Sequence, residues 1–222
     1  MQVSYNILNR GQTEYFKRLI NQIMARRFAG SDEICVVFDK EGCDENIAFL
    51  DEIHKNYPLE VRYIIRDMDY NEAEQRNANA GMASKKWIFM VDTDEQLKPF
   101  HMGGQLHEFL WQCKINDIDM VFLPRINIIP GIELVHKDWE AKKNEKGWFD
   151  FPNYTPRIYR NNGIIKWQGY MFSHLIGYTR SYKVIADEDH AILHHKTLEE
   201  QEKAGVLYRK IREVALERGW KE

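Results

Sequence analysis

The sequence predicts an α/β protein built on a mostly parallel sheet that is flanked by helices. Over residues 1–123, apolar segments of strand length alternate with amphipathic segments of helix length, which implies βαβ units with right-handed crossovers. One of these strands, WIFMVD at 87–92, is almost entirely apolar, as expected when helices cover both faces of a parallel sheet. Ligands of such sheets bind at the carboxyl ends of the strands.

Each element of this first half follows from its hydrophobic period, which is two residues for a half-buried strand and about 3.6 residues for an amphipathic helix. The strands are predicted at residues 3–8, 33–39, 59–65, 87–92 and 119–124. The helices between them are predicted at residues 13–28, 45–57, 72–85 and about 99–115.

After the last of these strands the pattern changes to short apolar stretches broken by proline and glycine, which predicts a smaller region of mixed strands and long loops. Thr197 and Glu200 form a capping-box pattern that opens a C-terminal helix. Gly219 is the expected stop of that helix. We therefore divide one continuous domain into a half at 1–124 and a second region at 125–222.

The composition is that of a folded protein without a general affinity for nucleic acid. Of the 222 residues, 44% are hydrophobic, which is enough for a packed core and excludes wholesale disorder. The formal net charge of -3 is unlike that of a generally basic nucleic-acid binder.

The sequence also predicts a cytoplasmic protein. The longest strongly apolar stretch, at 87–91, is far shorter than the roughly 18–20 residues that span a bilayer, and the first twenty residues lack the apolar run of a secretory signal. The three cysteines form no CxxC pair, which argues against a disulfide scaffold or a zinc module and favours a reducing compartment.

Charge is distributed unevenly along the chain. Residues 137–183 carry nine Lys and Arg against four Asp and Glu, whereas the flanking segments are acidic. The same segment holds Trp139, Trp148 and Trp167. Basic residues interleaved with aromatic residues can receive a sugar chain, a phosphorylated acceptor or a nucleic acid. The alternative is a solvated loop region whose aromatic side chains belong to the core.

The most informative stretch is residues 76–99, in which a buried strand ends in Asp92-Thr93-Asp94. Two carboxylates separated by one residue can face one cation where the chain leaves the sheet. Carboxylate oxygens suit Mg²⁺ or Mn²⁺, which complete their shells with water and substrate phosphates. A metal held in this way can neutralise a departing diphosphate. The alternative is a solvated turn or a helix cap, since Pro99 lies near the start of the next helix.

This stretch resembles the family 2 glycosyltransferases of the GT-A fold, in which an Arg-Asn…Gly…Ala helix leads into an apolar strand and an Asp-x-Asp (DxD) motif. The matching helix residues are Arg76, Asn77, Gly81 and Ala83. The resemblance implies a GT-A sheet, Rossmann-like and mostly parallel, in which residues 1–124 bind a nucleotide sugar. Residues 125–222 then form a smaller mixed region on the acceptor side and a C-terminal helix.

Four further segments carry the resemblance. The first strand ends in Leu8-Asn9-Arg10, similar to the Tyr-Asn-Arg of the family. The second strand ends at Asp39, although FDKEGCDE departs from the Asp-Asp-Gly-Ser run of the family. Residues 156–177 resemble the Arg-Leu-Phe…Trp-x-Gly…His-Glu segment of the branch that modifies bacterial polysaccharide cores. ILHHK at 192–196 is similar to the strand whose histidine completes the metal shell in relatives.

For the donor, the resemblance implies roles for four matched residues. Asn9 and Arg10 lie beside the nucleotide, and Asp39 accepts a hydrogen bond from the base. Arg76 lies near the base or the diphosphate. The alternatives are an ordinary helix ion pair for Arg76 and a turn residue for Asp39.

For the metal, the resemblance implies that Asp94 is a ligand and that His194 is a further ligand. Asp92 belongs to the same group and contacts the ribose or a metal-bound water. Because residues of a strand alternate between its faces, only one of His194 and His195 is expected to face the site. The alternative for His194 is a histidine of the core.

The catalytic base is not defined by the motif. An inverting transfer needs a group that removes the proton of the acceptor hydroxyl, and the branch resembled here uses a Glu directly after the His. This chain reads Ser173-His174-Leu175, so that Glu is missing. His174 is the first candidate, because an imidazole can take up a proton near neutrality. Asp150 and Glu188 are the carboxylate candidates, and a structural histidine is the other interpretation of His174.

The DxD motif together with the resemblance implies a metal-dependent glycosyltransferase. With Mn²⁺ or Mg²⁺, it moves a sugar from a nucleotide diphosphate sugar, uridine-linked by resemblance, to the hydroxyl of a saccharide or of a hydroxymethylated DNA base. Two alternatives stay open. A nucleotidyltransferase also holds metal and nucleotide on an α/β sheet, but the glycine-rich loop of that class does not follow the first strand here. A non-catalytic nucleotide- or carbohydrate-binding relative accounts for the missing Glu.

Overall fold

The computed structural model describes residues 1–132, 142–170 and 172–220. Its first half alternates strands and helices, as the hydrophobic periodicity predicts. The strands are β1 (Val3–Asn9), β2 (Glu33–Asp39), β3 (Val61–Arg66), β4 (Trp87–Asp92), β5 (Glu95–Gln96) and β6 (Met120–Leu123). The helices are α1 (Thr13–Arg26), α2 (Asp44–Asn56), α3 (Glu72–Met82) and α4 (Gly103–Ile115).

The second half consists of short strands and one long helix. The strands are β7 (Arg125–Ile128), β8 (Thr155–Arg160), β9 (Lys166–Gln168), β10 (His174–Ile176), β11 (Ser181–Lys183) and β12 (Ile192–His195). The C-terminal helix α5 spans Leu198–Glu217. Its predicted capping box is confirmed, since the Glu200 amide donates to the Thr197 hydroxyl at 3.2 Å and the Thr197 amide donates to the Glu200 carboxylate at 2.8 Å.

Seven strands form the main sheet in the order β11-β6-β8-β4-β1-β2-β3. Strands β3, β2, β1 and β4 are parallel, and β8 runs antiparallel between β4 and β6. The predicted α/β class with a mostly parallel sheet is therefore confirmed. The position of β8 carries a segment of the second half into the centre of the sheet, next to the strand that ends in Asp92.

Two smaller sheets complete the fold. Strands β9 and β10 form an antiparallel pair, and β12 lies between β5 and β7, antiparallel to the former and parallel to the latter. In this three-stranded sheet, His194 is the direct neighbour of Glu95 on one side and of Asn127 on the other. Neighbours of this kind share one face of a sheet, so three distant parts of the chain bring polar side chains together.

Burial explains why the parallel strands form a fixed platform. All seven residues of β2 are buried, and so are six of the seven residues of β1. Helix α1 covers them with Phe16, Leu19, Ile20 and Ile23. Each large apolar side chain buried in this way stabilises the fold by about 1.5–3 kcal/mol. The residues that follow the strand ends are therefore held in fixed positions.

The helix predicted at about 99–115 is divided in the structure. A 3₁₀ turn at Pro99–His101 precedes α4, and Met102 between them is extended. Gly103 follows with a φ of +59°, and a Cβ at this position would lie 2.8 Å from the carbonyl oxygen of Arg26. The close approach of α1 therefore requires glycine at the break. Neither α4 nor any other helix within the described ranges has an apolar run of membrane-spanning length.

Candidate active site

A cavity of about 950 Å³ lies where the carboxyl ends of β1 and β4 face helix α5. This is the edge of the sheet at which the sequence predicts ligand binding. Asp92, Thr93 and Asp94 all line the cavity. The Thr93 hydroxyl donates to the carbonyl oxygen of Leu8 at 2.6 Å, which ties the DxD turn to the end of β1. The turn is thereby fixed with both aspartates at the cavity.

Asp94 is a buried carboxylate with two close partners. Its Oδ2 lies 3.2 Å from Nε2 of His194 and 3.2 Å from Nζ of Lys196. Burial by itself would raise the pKa of Asp94, but its contact with His194 and the charge of Lys196 outweigh burial and lower that pKa below its ordinary value. Asp94 is therefore an ionised carboxylate at neutral pH.

The imidazole of His194 is oriented by Asn127. The side-chain amide nitrogen of Asn127 donates to the carbonyl oxygen of Phe149 at 3.3 Å, so its amide oxygen faces Nδ1 of His194 at 2.8 Å. Nδ1 therefore carries a proton, and Nε2 is directed at Asp94. A hydrogen bond between Nε2 and Oδ2 of Asp94 needs a proton on Nε2. A cation bound by both groups would take the place of that proton, as in metal-binding histidines whose second nitrogen is hydrogen-bonded.

Asp94 and His194 fit as two ligands of one divalent cation. A carboxylate oxygen suits Mg²⁺ and Mn²⁺, and an imidazole nitrogen suits the transition metal of the two. Among the residues that the structure describes, no group of three or more His, Cys, Asp and Glu side chains could enclose a metal. A cation held by this pair would therefore need water and substrate oxygens to complete its shell, which is common for Mg²⁺.

Asp92 is held in a different way from Asp94. Its Oδ1 accepts a hydrogen bond from Nη2 of Arg76 at 3.1 Å, and its Oδ2 accepts one from Nη2 of Arg157 at 2.6 Å. Burial raises the pKa of Asp92, but the charges of Arg157 and Arg76 outweigh burial and lower it. The structure thus brings Asp92 to the site and engages both of its oxygens with arginines.

Arg157 also joins Asp92 to a second buried carboxylate, Glu95. Arg157 is 3% exposed and Glu95 is fully buried, and the two form an ion pair. Glu95 in addition accepts the backbone N–H of Asp92 at 3.0 Å and lies 3.8 Å from Nη1 of Arg125. Removing one partner from such a network leaves an uncompensated buried charge. The network therefore fixes the DxD turn against β8.

Arg76 lines the cavity, and it also forms an ion pair within its own helix. Its Nη2 lies 2.6 Å from Glu72, four residues earlier on α3. The guanidinium carbon lies 4.7 Å from the ring centre of Trp167, a cation–π distance. The Nη1 atom of Arg76 is buried without a described hydrogen-bond partner. One donor of this arginine is therefore left for a ligand.

The predicted donor residues at the ends of β1 and β2 meet one another. Nε of Arg10 donates to Oδ2 of Asp39 at 2.7 Å, and Arg10 lines the cavity. Asn9 instead is buried, and its Oδ1 accepts hydrogen bonds from the Asn46 side chain at 2.8 Å and from the Gly11 amide at 3.3 Å. The Asn9 side chain thus holds the loop that positions Arg10 and does not line the cavity.

Among the three candidate bases, Asp150 is the one that lines the cavity. Its backbone has a left-handed φ of +53°, which Asp tolerates better than most residues. Its Oδ2 accepts a hydrogen bond from the side-chain Nδ2 of Asn153 at 3.1 Å. The side-chain Oδ1 of Asn153 in turn accepts one from Nε of Arg125 at 3.0 Å. Hydrogen bonds therefore connect Asp150 through Asn153 to Arg125, whose Nη1 lies 3.8 Å from Glu95 in the buried network.

The other two candidate bases, His174 and Glu188, do not line this cavity. His174 lines a second cavity, of about 580 Å³, with Tyr170 and Trp220. Glu188 lies on the surface, where it pairs with Lys146 at 3.3 Å. Sequence spacing alone is compatible with either cavity.

The basic residues of 137–183 that the structure describes divide between the site and the outer surface. Arg157 belongs to the buried network, whereas Arg160 donates to the carbonyl oxygen of Ile118 at 3.1 Å. Exposed Lys146 lies 4.6 Å from the ring centre of Trp148. Trp139 lies outside the described residues.

Three residues of the site were missed by the sequence reasoning. Lys196 follows His194 by two positions, so strand alternation could have placed both on one face. Arg157 stands within the segment that resembles the family, but no local pattern links it to Asp92. Asn127 acts through the pairing of β7 with β12, which the sequence pattern does not indicate.

The model of the family described as Glycosyl transferase family 2 matches residues 7–164, which is more than half of the chain. The chain belongs to this family. The match confirms the predicted family, which is one of glycosyltransferases. It includes the DxD turn and Arg157, while His194 and Lys196 lie beyond its end. A comparison with curated proteins finds no match.

Solved structures with a similar fold include TarS of S. aureus. The crystal structure of TarS 1–349 in complex with UDP has a TM-score of 0.60 and 14% identity, and the alignment covers 95% of this chain and 65% of that chain. The complex of TarS 1–349 with UDP-GlcNAc has a TM-score of 0.60 and 15% identity, covering 88% of this chain and 59% of that chain. This chain thus spans less than two thirds of these TarS chains, and the GT-A architecture is confirmed.

Proposed function

We propose that this protein transfers a sugar from a uridine diphosphate sugar to a hydroxyl acceptor, with the assistance of Mn²⁺ or Mg²⁺. The observation that carries the proposal is the pairing of Asp94 with His194 at the end of the DxD strand, inside a cavity of about 950 Å³. Membership of glycosyl transferase family 2 supplies the reaction class.

The charge of the cavity suits a diphosphate. Seven Lys and Arg side chains line it, against five Asp and Glu side chains. The seven are Arg10, Arg76, Arg125, Lys142, Arg157, Lys196 and Lys203. A cleft with an excess of one charge attracts ligands of the opposite charge and raises their local concentration. An anionic nucleotide sugar fits this excess of positive charge.

In this proposal Asp94 and His194 hold the cation, and Asp92 orders the arginines beside it. A divalent cation at this place supplies a Lewis acid that neutralises charge on the departing diphosphate. Asp92 keeps Arg76 and Arg157 directed at the cavity through its two oxygens. The two aspartates of the motif therefore have different tasks, one at the metal and one at the protein's own cations.

Arg76 and Arg10 are the residues proposed to contact the donor. A phosphate oxygen would satisfy the buried Nη1 of Arg76 through a charge-assisted hydrogen bond. Arg10 projects from the end of β1 and pairs with Asp39. In this proposal the base of the donor lies between the side chains of Arg10 and Arg76. Uridine is the first base to test because TarS was crystallised with UDP and with UDP-GlcNAc.

Asp150 is proposed as the general base. It lines the same cavity as Asp94, and the amide of Asn153 orients its carboxylate. As the acceptor oxygen forms its bond to the anomeric carbon, its proton passes to Asp150, and the diphosphate leaves with the electrons of the bond that breaks. A carboxylate held by one hydrogen bond keeps a free lone pair for that proton.

A saccharide is the proposed acceptor. The second cavity shares Trp167 with the first and adds the aromatic rings of Tyr170 and Trp220 and the side chain of Gln168. Apolar ring faces with a few hydrogen-bonding groups are typical of sites for small organic ligands. A hydroxymethylated DNA acceptor predicts binding that weakens steeply with salt, so acceptor use that is insensitive to salt excludes it.

The test is donor turnover by the protein with a panel of UDP sugars, with Mn²⁺ and with EDTA. Turnover is expected with at least one UDP sugar, and Asp94→Asn should lower it by at least about a thousandfold, since metal assistance contributes several kcal/mol. Asp117→Asn is the matched control, because Asp117 precedes β6 at the other edge of the sheet. It is exposed with a φ of +54°, which Asn also adopts.

The outcomes separate the alternatives. Turnover that neither EDTA nor Asp94→Asn lowers contradicts the metal role. Tight UDP binding without turnover of any sugar supports a non-catalytic binding relative. Release of pyrophosphate from a nucleoside triphosphate and a sugar phosphate indicates a nucleotidyltransferase.

A further inference from the structure

Lys196 places a fixed positive charge beside the oxygen that faces the proposed metal ligand His194. Its Nζ lies 3.2 Å from Oδ2 of Asp94, the same atom that lies 3.2 Å from Nε2 of His194. The Lys196 side chain is only 15% exposed, and it lines the cavity. The ammonium group therefore lies inside the site and not on the outer surface.

The surroundings of Lys196 keep it charged and leave it able to bind a ligand. Its Nζ forms an ion pair with the carboxylate of Asp94 at 3.2 Å, which favours the charged ammonium form. An ammonium group has three N–H donors and no acceptor. The described ion pair of Lys196 involves one carboxylate oxygen, so donors remain for an anion in the cavity.

We propose that Lys196 is a protein-borne counter-ion for the donor diphosphate, which binds a phosphate oxygen directly and competes with the divalent cation for Asp94. The inference rests on the proposed function, because it assigns a residue to the diphosphate of that donor. Ammonium groups bind phosphates as point charges. The ammonium of Lys196 and a divalent cation would compete for the same oxygen, Oδ2 of Asp94. Nucleotide binding therefore survives removal of the metal, at reduced affinity.

Two effects of opposite sign follow for Lys196→Gln. Without metal, the variant binds UDP more weakly, by about tenfold to a hundredfold, which corresponds to one lost hydrogen bond to a charged group. Without nucleotide, it binds Mn²⁺ more tightly, because Asp94 has lost its competing cation. A lysine with a merely structural role would not produce this reversal.

The experiment measures both affinities in the folded protein. Isothermal titration with UDP is done in EDTA and in Mn²⁺, and binding of Mn²⁺ alone is followed by the loss of the free-ion signal in electron paramagnetic resonance. Lys196→Arg retains the charge and should retain most of the metal-free UDP affinity. Lys210→Gln is the control, since Lys210 lies on an exposed part of α5, 5.0 Å from the ring centre of Tyr70.

The outcomes distinguish this inference from the function on which it rests. If the wild-type protein binds UDP neither in EDTA nor in Mn²⁺, the proposed donor itself is wrong. If it binds UDP only in Mn²⁺, or if Lys196→Gln binds UDP in EDTA as well as the wild type does, the role of Lys196 is wrong while the donor stands. Weaker Mn²⁺ binding by Lys196→Gln also overturns the competition.

Discussion

Most of the charged pairs at the DxD turn join the two halves of the chain. The first half supplies three carboxylates at and just after the end of β4, and the second half supplies most of the side chains that pair with them. The contacts are those of Arg157 with Asp92 and Glu95, and those of His194 and Lys196 with Asp94. Electrostatic pairing, in addition to apolar packing, therefore joins the halves where the cavity lies.

The halves also differ in how their strands are held. Every residue of β2 is buried, whereas β9 and β10 are three residues long and bury only their central residue. A short strand gains little from apolar burial, so contacts at its ends decide its position. The first half therefore holds its acids at the end of a buried strand, β4, whereas β9 and β10 depend on contacts outside their own short spans.

Asp150→Asn tests whether the second half also supplies the reactive base, and it should have the largest effect. Because Asp150 is proposed to act on the acceptor proton, turnover should fall by about a hundredfold to ten-thousandfold, while UDP affinity stays unchanged. The measurement is kcat at saturating donor, together with titration of UDP.

Glu188→Gln is the control for that variant, since Glu188 is a surface carboxylate paired with Lys146. It should leave kcat unchanged. Wild-type turnover by Asp150→Asn would place the base elsewhere, and a parallel loss of UDP affinity would assign Asp150 to the donor instead of the acceptor.

Arg157→Met breaks the junction between the halves directly. Asp92 and the fully buried Glu95 both lose a charged partner, so the free energy of unfolding should fall by about 3–5 kcal/mol. For a chain of this size that is a decrease in Tm of roughly 10 °C. Urea unfolding at neutral pH measures it.

The matched control is Arg160→Met on the same strand. Arg160 donates to the backbone carbonyl oxygens of Ile118 and Lys114, and in the described contacts it pairs with no carboxylate. Its loss should cost only about 1 kcal/mol. Equal costs for both variants would mean that general packing of β8, not the ion network, holds the halves together.

The same contrast explains what the sequence could predict. In the first half each strand is buried and each helix buries one face, so burial leaves a readable period in the sequence. The end of the apolar run at Asp92 marked the strand end, and with it the position of Asp94 in the cavity. The capping box of α5 was predictable because its two residues, Thr197 and Glu200, lie three positions apart.

The rest of the site depends on pairings that no local period reports. Asp92 and Arg157 are 65 residues apart in the sequence, and Asp94 and His194 are 100 residues apart. The antiparallel insertion of β8 between β4 and β6 decides the first pairing, and the register of β12 decides the second. A motif fixes spacing along the chain but not the cavity that a side chain lines, so the sequence could not show that His174 lines the second cavity.

His101 joins the halves through a hydrogen bond that should make stability depend on pH. Its Nδ1 accepts the Lys98 amide at 2.9 Å, so its Nε2 carries the proton and donates to the carbonyl oxygen of His190 at 3.0 Å. Burial lowers the pKa of His101 to about 4. The unfolded state therefore binds more protons below about pH 6.5, and stability falls by about 2 kcal/mol between pH 7 and pH 5 on account of this group.

Urea unfolding at pH 7, 6 and 5 tests this dependence. His101→Asn should be less stable at pH 7 but should lose less stability on acidification. The carboxyls of Asp92 and Asp94 have lowered pKa values, so their contributions are lost only at more acidic pH and do not enter this range. An unchanged slope in His101→Asn would assign the pH dependence to other groups.

Thr197→Ala should have the smallest effect, because it loosens only the first turn of α5, the helix that lines the cavity. The variant removes the acceptor of the Glu200 amide and should cost about 1 kcal/mol of stability. Hydrogen exchange should show the loss first in the opening turn of α5, where the amide of Glu200 becomes unprotected. Thr197→Ser keeps the hydroxyl and should cost less than about 0.5 kcal/mol. If Ser were as costly as Ala, the methyl group and not the cap would anchor α5, and the second half would depend on packing even at the end of its longest helix.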